Sequence, residues 1–425
     1  MDASAEGLKI FSTAQMEGPA AAAHAAAKRW QVLSILAVCI VLTMTTWFSA
    51  TAVVPQLMET WQLSSSLAAW LTIGVQVGFV IGAVGSSVIG LSDVMPAKTL
   101  MICGSLGAAI ANLGMLFVDA ALPGIGLRML TGVFLALVYP PSLKFIATWF
   151  LRGRGVALGV LVGAVTLGSA SPHLVNAIGG LNWQIVIIAT SAATAAGALL
   201  LVLYVNEGPY PFPRAPFNPG RVKQVFFNRG IVLASIGYFG HMWELYAMWA
   251  WFLTFARMAL ELQQIGSPAM ASYLTFAVIA VGAIGCVAGG ILGDRIGRTL
   301  TTSLMMGLSG GCALLAGFVF DGPAWLFILV GLVWGFSVVA DSAQFSTIVT
   351  ELGDPMYVGT ALTIQLGIGF MLTVVTIWLL PLAAATLSSW QWVFLILLPG
   401  PAIGIAAMLL LRRLPEAAGI AMGSR

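Results

Sequence analysis

Arg128, His241, Glu244 and Asp341 are the residues whose types invite chemistry, because each interrupts a stretch otherwise apolar enough to sit in lipid. A charge at mid-bilayer costs at least ~2.5 to 3.5 kcal/mol on insertion scales, so such groups face a partner or a wet cavity. His241 precedes Glu244 by three residues, which puts both on one helical face within touching distance. Low dielectric favours the neutral form of an acid and a nearby cation favours its charged form, so such a pair can take up and release a proton. Asp341 is the second candidate carrier, with Ser342 and Gln344 beside it. Arg128 would neutralise one of the acids or hold an anionic group of a ligand; its competing role is a structural tie between helix ends. Tyr238 and Tyr246 fall within about 45° of the Glu244 to His241 face, and Thr46 adds a hydroxyl from the first apolar stretch. Rings, hydroxyls and two acids suit a small organic molecule with polar and apolar parts. His173, just after Pro172, is expected to be structural. No metal or cofactor is expected: His241-x-x-Glu244 has no third ligand within reach, and the chain holds three histidines.

The elements that must position these residues are long apolar segments. With 60% hydrophobic residues, 8% charged and a mean hydropathy of +0.99, the 425-residue chain has more apolar surface than a soluble fold could hide. Twelve stretches are long enough to cross a bilayer as helices: 30–54, 67–90, 98–118, 124–150, 155–178, 183–205, 230–256, 269–292, 299–320, 324–349, 359–382 and 390–411. Of the eighteen Lys and Arg, Arg257 alone lies in an odd-numbered loop, and Arg128 and Lys144 lie within the fourth stretch. The other fifteen share one side, which predicts that both termini are cytoplasmic. The net charge of +3 therefore reflects topology and implies no nucleic-acid partner. Lys28 and Arg29 follow the Ala20–Ala27 tract instead of preceding it, so residues 1–29 are expected to be a cytoplasmic tail and not a signal peptide. Cys39, Cys103, Cys286 and Cys312 all fall inside apolar stretches, and no disulfide is expected.

The stretches form two sets of six around one polar segment, and the sets match each other at an offset of about 200 residues. Asn182-Trp183-Gln184 answers Ser389-Trp390-Gln391, and Gly155-Val156-Ala157-Leu158 answers Gly359-Thr360-Ala361-Leu362. The expected organisation is a bundle over 30–205, a linker over 206–229, a second bundle over 230–411 and a tail over 412–425. Gly290-Ile291-Leu292-Gly293-Asp294-Arg295-Ile296-Gly297-Arg298 resembles the G-x-L-x-D-R-x-G-R signature of the major facilitator superfamily. A worn copy, Gly90-Leu91-Ser92-Asp93 through Lys98, occupies the equivalent loop of the first half. Arg128-Met129-Leu130-Thr131-Gly132 resembles the family's R-x-x-Q-G pattern, with threonine for glutamine.

The resemblance implies an all-α membrane fold of twelve helices in two pseudo-symmetric six-helix bundles. It implies a secondary transporter, proton-coupled and monomeric, working by alternating access in the plasma (inner) membrane. Spans one, four, seven and ten would line its cavity, and spans two with eleven and five with eight would form its rocking seam. Asp93, Lys98, Asp294, Arg295 and Arg298 would then form a conformational latch. Glycine ladders at 74, 78 and 82, at 155, 159 and 163, and at 285, 289 and 293 are expected to smooth that seam. A small organic solute, an organic anion or monocarboxylate in the first instance, is the expected cargo, and proton-driven efflux of amphipathic compounds is the alternative. A membrane-embedded enzyme or a non-transporting sensor is the reading outside that class.

Overall fold

A computed structural model describes residues 19–150, 154–180, 182–210, 218–354 and 357–424 of the chain. Among these residues every regular element is helical. The membrane helices are α1 (Pro19–Met44), α2 (Ser65–Val88), α3 (Ala97–Phe117), α4 (Ala121–Ala147), α5 (Arg154–Ile178), α6 (Trp183–Tyr204), α7 (Arg229–Leu262), α8 (Pro268–Ile296), α9 (Arg298–Val319), α10 (Ala324–Leu352), α11 (Val358–Leu387) and α12 (Val393–Arg413). Ten are long and apolar enough to cross a membrane by length and composition. The other two, α1 and α7, occupy the first and seventh expected spans. α1 starts eleven residues before its expected beginning, because the alanines after Pro19 are strong helix formers and Pro suits a first helical turn.

Local signals explain several starts. Ser64, Asn182, Asn228 and Ser267 each accept a hydrogen bond from a backbone N–H in the first turn of α2, α6, α7 and α8. Three helices break in mid-course. α1 gives way after Met44 to turns over 45–50, α4 pauses between Leu135 and Tyr139, and α10 pauses between Val338 and Ser342. In α4 the break precedes Pro140 and Pro141, which cannot donate to the preceding turn.

Across the halves α5 packs on α8 and α2 on α11. The glycine ladders divide differently from the expectation. Gly159 and Gly163 of α5 do face α8; a Cβ there would come 2.9 Å from Cys286 O and 3.0 Å from Ala283 O. Gly78 and Gly82 of α2, however, abut the backbone of Met129 and Val133 on α4, and Gly285 and Gly289 of α8 abut Phe336 and Ala340 on α10. Those two ladders let helices of the same half touch backbone to backbone, and they repeat at one common offset. The repeat even survives a swap: Gly132 of α4 meets Val75 of α2, whereas Gly282 of α8 meets Val339 of α10.

Candidate functional site

Arg128 is fully buried in α4 and its side chain is spread over three other helices. Nε donates to Leu71 O of α2 at 3.3 Å. Nη1 donates to Thr46 O at 2.9 Å and to Ser49 Oγ and Asn112 Oδ1 at 3.0 Å each, and Nη2 donates to Trp47 O. Thr46 and Trp47 lie in the break after α1, where carbonyls have lost their helical donors. The guanidinium thus replaces backbone donors at that break. Asn112, which the sequence reading passed over, is its second anchor: Nδ2 donates to Ile187 O, Thr190 Oγ1 and Ser191 Oγ of α6. Thr46, expected to face a ligand, uses its hydroxyl on Thr43 O at 3.1 Å.

Glu244 and His241 share a face of α7 but do not engage each other. Glu244 accepts from Trp334 Nε1 of α10 at 2.6 Å and from Ser309 Oγ of α9 at 2.9 Å, inside the second half. His241 turns to α10 instead. Its Nε2 lies 2.7 Å from Ser342 Oγ, and its Nδ1 lies 2.9 Å from Asp341 Oδ1. That second contact has ion-pair distance without hydrogen-bond direction, so neither Asp341 oxygen accepts a directed hydrogen bond among the described residues. Asp341 sits at the break of α10, immediately before the helix resumes at Ser342, where the partial positive charge of a helix start favours an anion. The expected pairing is thereby corrected: i and i+3 are neighbours on a helix, but each side chain found a better partner across an interface.

Between the halves lies a block of rings. Trp47 and Phe48 from the α1 break and Phe79 from α2 meet Tyr246 and Trp249 of α7 and Phe370 of α11. The Trp47 and Tyr246 centroids are 5.9 Å apart, and those of Phe79 and Phe370 are 4.5 Å apart. Tyr238 packs between His241, at 6.2 Å, and Gly369 next to Phe370, which joins the His241–Asp341 contact to the ring block. The indole N–H groups of Trp47 and Trp249 have no acceptor among the described residues, and the two ring nitrogens of His173 have no hydrogen-bond partner there. A cavity of about 710 Å³ lies elsewhere, by Glu261, Phe320 and Trp390 at the ends of α7, α9 and α11.

The latch residues separate. Asp294 and Arg298 lie 3.4 Å apart, and Arg298 grips Glu351 of α10 through Nε and Nη2 at 2.9 to 3.1 Å. Gln344, expected to line the ligand site, instead accepts from Arg298 Nη1 at 2.8 Å and donates to Gly289 O. Arg295 is exposed, and Lys98 donates to Val202 O of α6. The Asp93 side chain lies outside the described residues. No group of three or more His, Cys, Asp or Glu able to hold a metal occurs among the described residues, and the four cysteines are free.

The family model described as Major Facilitator Superfamily matches residues 36–365. This chain belongs to the major facilitator superfamily. It is an integral membrane protein of the superfamily fold, and it is similar to the proton:xylose symporter XylE with a TM-score of 0.68 over 91% of this chain and 96% of that one, at 15% identity. Among curated proteins it is 23% identical to Monocarboxylate transporter 13 of Rattus norvegicus over 67% of this chain and 65% of that protein. It is 24% identical to Multidrug efflux pump LfrA of Mycolicibacterium smegmatis over 69% of this chain and 52% of that protein. It is 25% identical to the Uncharacterized transporter ESBP6 of Saccharomyces cerevisiae over 41% and 27%. The match thus spans less than two thirds of each of these relatives' own length. For a superfamily member, four buried ionisable groups in α4, α7 and α10 fall on helices expected to line the cavity, but they form three separate assemblies and not one.

Proposed function

We propose that the protein is a secondary active transporter that moves a small organic solute by alternating access and couples it to protons through His241 and Asp341. The observation that carries this reading is the His241–Asp341 contact, 2.9 Å, between α7 and the break of α10. An acid with unmet hydrogen-bonding capacity beside a titratable ring, linked through Tyr238 to a ring block spanning both halves, is suited to exchanging a proton when the halves separate. Glu244, held by two neutral donors, is a weaker carrier because releasing it would orphan Trp334 and Ser309.

Of the two solute classes expected, the amphipathic one is favoured. An organic anion would need a cation, and the guanidinium of Arg128 already serves five oxygens. Six rings with Asp341 nearby suit a solute that is flat and neutral or positively charged. The names of the relatives, a monocarboxylate transporter and a multidrug efflux pump, admit both classes. A membrane-embedded enzyme fits poorly, since His241 and Glu244 engage different partners. The deciding experiment measures thermal stabilisation of the purified protein by a panel of aromatic cations and monocarboxylates, followed by solute-driven proton flux in liposomes. Stabilisation by the cations, with flux lost in Asp341→Asn, is expected. Flux that persists in both Asp341→Asn and His241→Gln would defeat the coupling assignment.

A further inference from the structure

The chain does not leave the molecule after α12. Pro415–Gly423 winds into 3-10 turns that fold back on α10 and α12, with Ala417 and Ile420 fully buried. The backbone N–H of Ala421 donates to Glu351 Oε2 at 3.1 Å. The same carboxylate is gripped by Arg298, whose Nη1 lies 3.4 Å from Asp294 Oδ1. Asp294 in turn touches the opposite half: a Cβ placed on Gly155 would come 2.9 Å from its Oδ2. An acid against the first turn of α5 is favoured by the partial positive charge there. Four consecutive contacts therefore run from the segment after α12 to the boundary between the halves.

Ala421 has φ +49°, a left-handed conformation that a residue other than glycine keeps only when its surroundings hold it. The segment is docked against an opposing strain, and its Ala421 amide occupies one oxygen of the Glu351 carboxylate that Arg298 grips. Glu351 keeps 26% of its side chain exposed and Arg298 8%.

We propose that residues 415–423 are a regulatory strap. Docked, the strap fixes Glu351 on Arg298 and so keeps Asp294 against α5, which favours the arrangement in which the face carrying the ends of α10 and α12 is closed. Released, it hydrates the ion pair, loosens Asp294 and lets that face open. A partner or modification that captures the strap would thereby shift the transport cycle without touching the solute site.

The test uses the full chain in detergent with Cys103→Ser and a reporter, Ala83→Cys, in a cavity of about 160 Å³ between α2, α4 and α11 near that face. The readout is the labelling rate with a water-soluble maleimide. Ile420→Asp and Ala421→Pro are expected to raise the rate at least about fivefold, the low end of coupling between sites. Ala421→Gly, which relieves the strain while keeping the donor, is expected to lower it below that of the parent. In an Arg298→Gln background the strap variants should add nothing further. The proposal is overturned if labelling stays at the parental rate in Ile420→Asp while proteolysis after Arg413 reports a released strap, or if the rise is equally large without Arg298. The inference rests on the rocking motion proposed above, and labelling that is immeasurably slow in every variant, Arg298→Gln included, would sink that motion and the strap together.

Discussion

Arg128 illustrates how residue type and residue role separate. Its rarity in an apolar stretch was legible, and so was the choice between ligand and tie. What favours the tie is a set of oxygens from Thr46, Trp47, Ser49, Leu71 and Asn112, brought together by three other helices. None of that follows from spacing along one helix. Removing the guanidinium takes the donor from Trp47 O, weakens the pairing of the other four oxygens and leaves a void among them, so Arg128→Ala should lower the unfolding free energy by about 3 kcal/mol. Lysine cannot reproduce the fork and should recover only part of it. Thermal unfolding in detergent reads both, and an Arg128→Ala protein as stable as the parent would return the residue to the ligand. Asp341 predicts the opposite signature. Asn conserves its shape and no directed hydrogen bond is lost, so Asp341→Asn should melt within a few degrees of the parent while proton-coupled flux falls at least ~10-fold, the scale of removing a proton-transfer group. The surroundings of Glu244 were illegible for the same reason. Ser309 and Trp334, its real partners, lie 65 and 90 residues away in sequence, and nothing local announces them.

Among the elements, length and hydropathy were enough for ten of the twelve spans, since lipid demands about 20 apolar helical residues whatever the packing. The breaks were not legible in α1 and α10, where no proline marks them: the chain leaves helix over 45–50 and 339–341 because side chains and neighbouring helices satisfy the freed backbone groups. The glycine ladders were legible as close-packing faces but not as to which neighbour they met, because a small-residue stripe carries no address. This difference can be measured. Gly285→Leu drives a side chain into the Phe336 backbone within one half and should prevent folding, seen as loss of a monodisperse peak on size exclusion. Gly159→Leu intrudes on Cys286 across the halves, where the bundles can part by a small shift. It should yield folded protein with transport slowed, and equal damage from both substitutions would contradict the assignment of faces.

For the whole molecule, the two halves meet at three levels besides the contact of Asp294 with the start of α5. Asn176 Nδ2 of α5 donates to Ser272 Oγ of α8 at 3.2 Å near one face, the ring block fills the middle, and Ser87 Oγ of α2 lies 2.9 Å from Thr363 Oγ1 of α11 near the other. Each polar seal is a single hydrogen bond, worth on the order of 1 kcal/mol net, so neither alone can hold the halves against a solute that binds better to an open form. Rocking then requires that one seal break while the other persists. Cysteines at 176 and 272 joined by a short bifunctional thiol reagent should trap opening toward the Ser87 face, and cysteines at 87 and 363 should trap the reverse, in a background with Cys103 replaced. Both cross-links should stop transport, and each should leave the ring block open to solute from one side only, so that tryptophan quenching by an aromatic cation persists. Transport that continues through either locked pair would mean that the halves pass solute without tilting, and the seam between α2 and α11 and between α5 and α8 would be static packing.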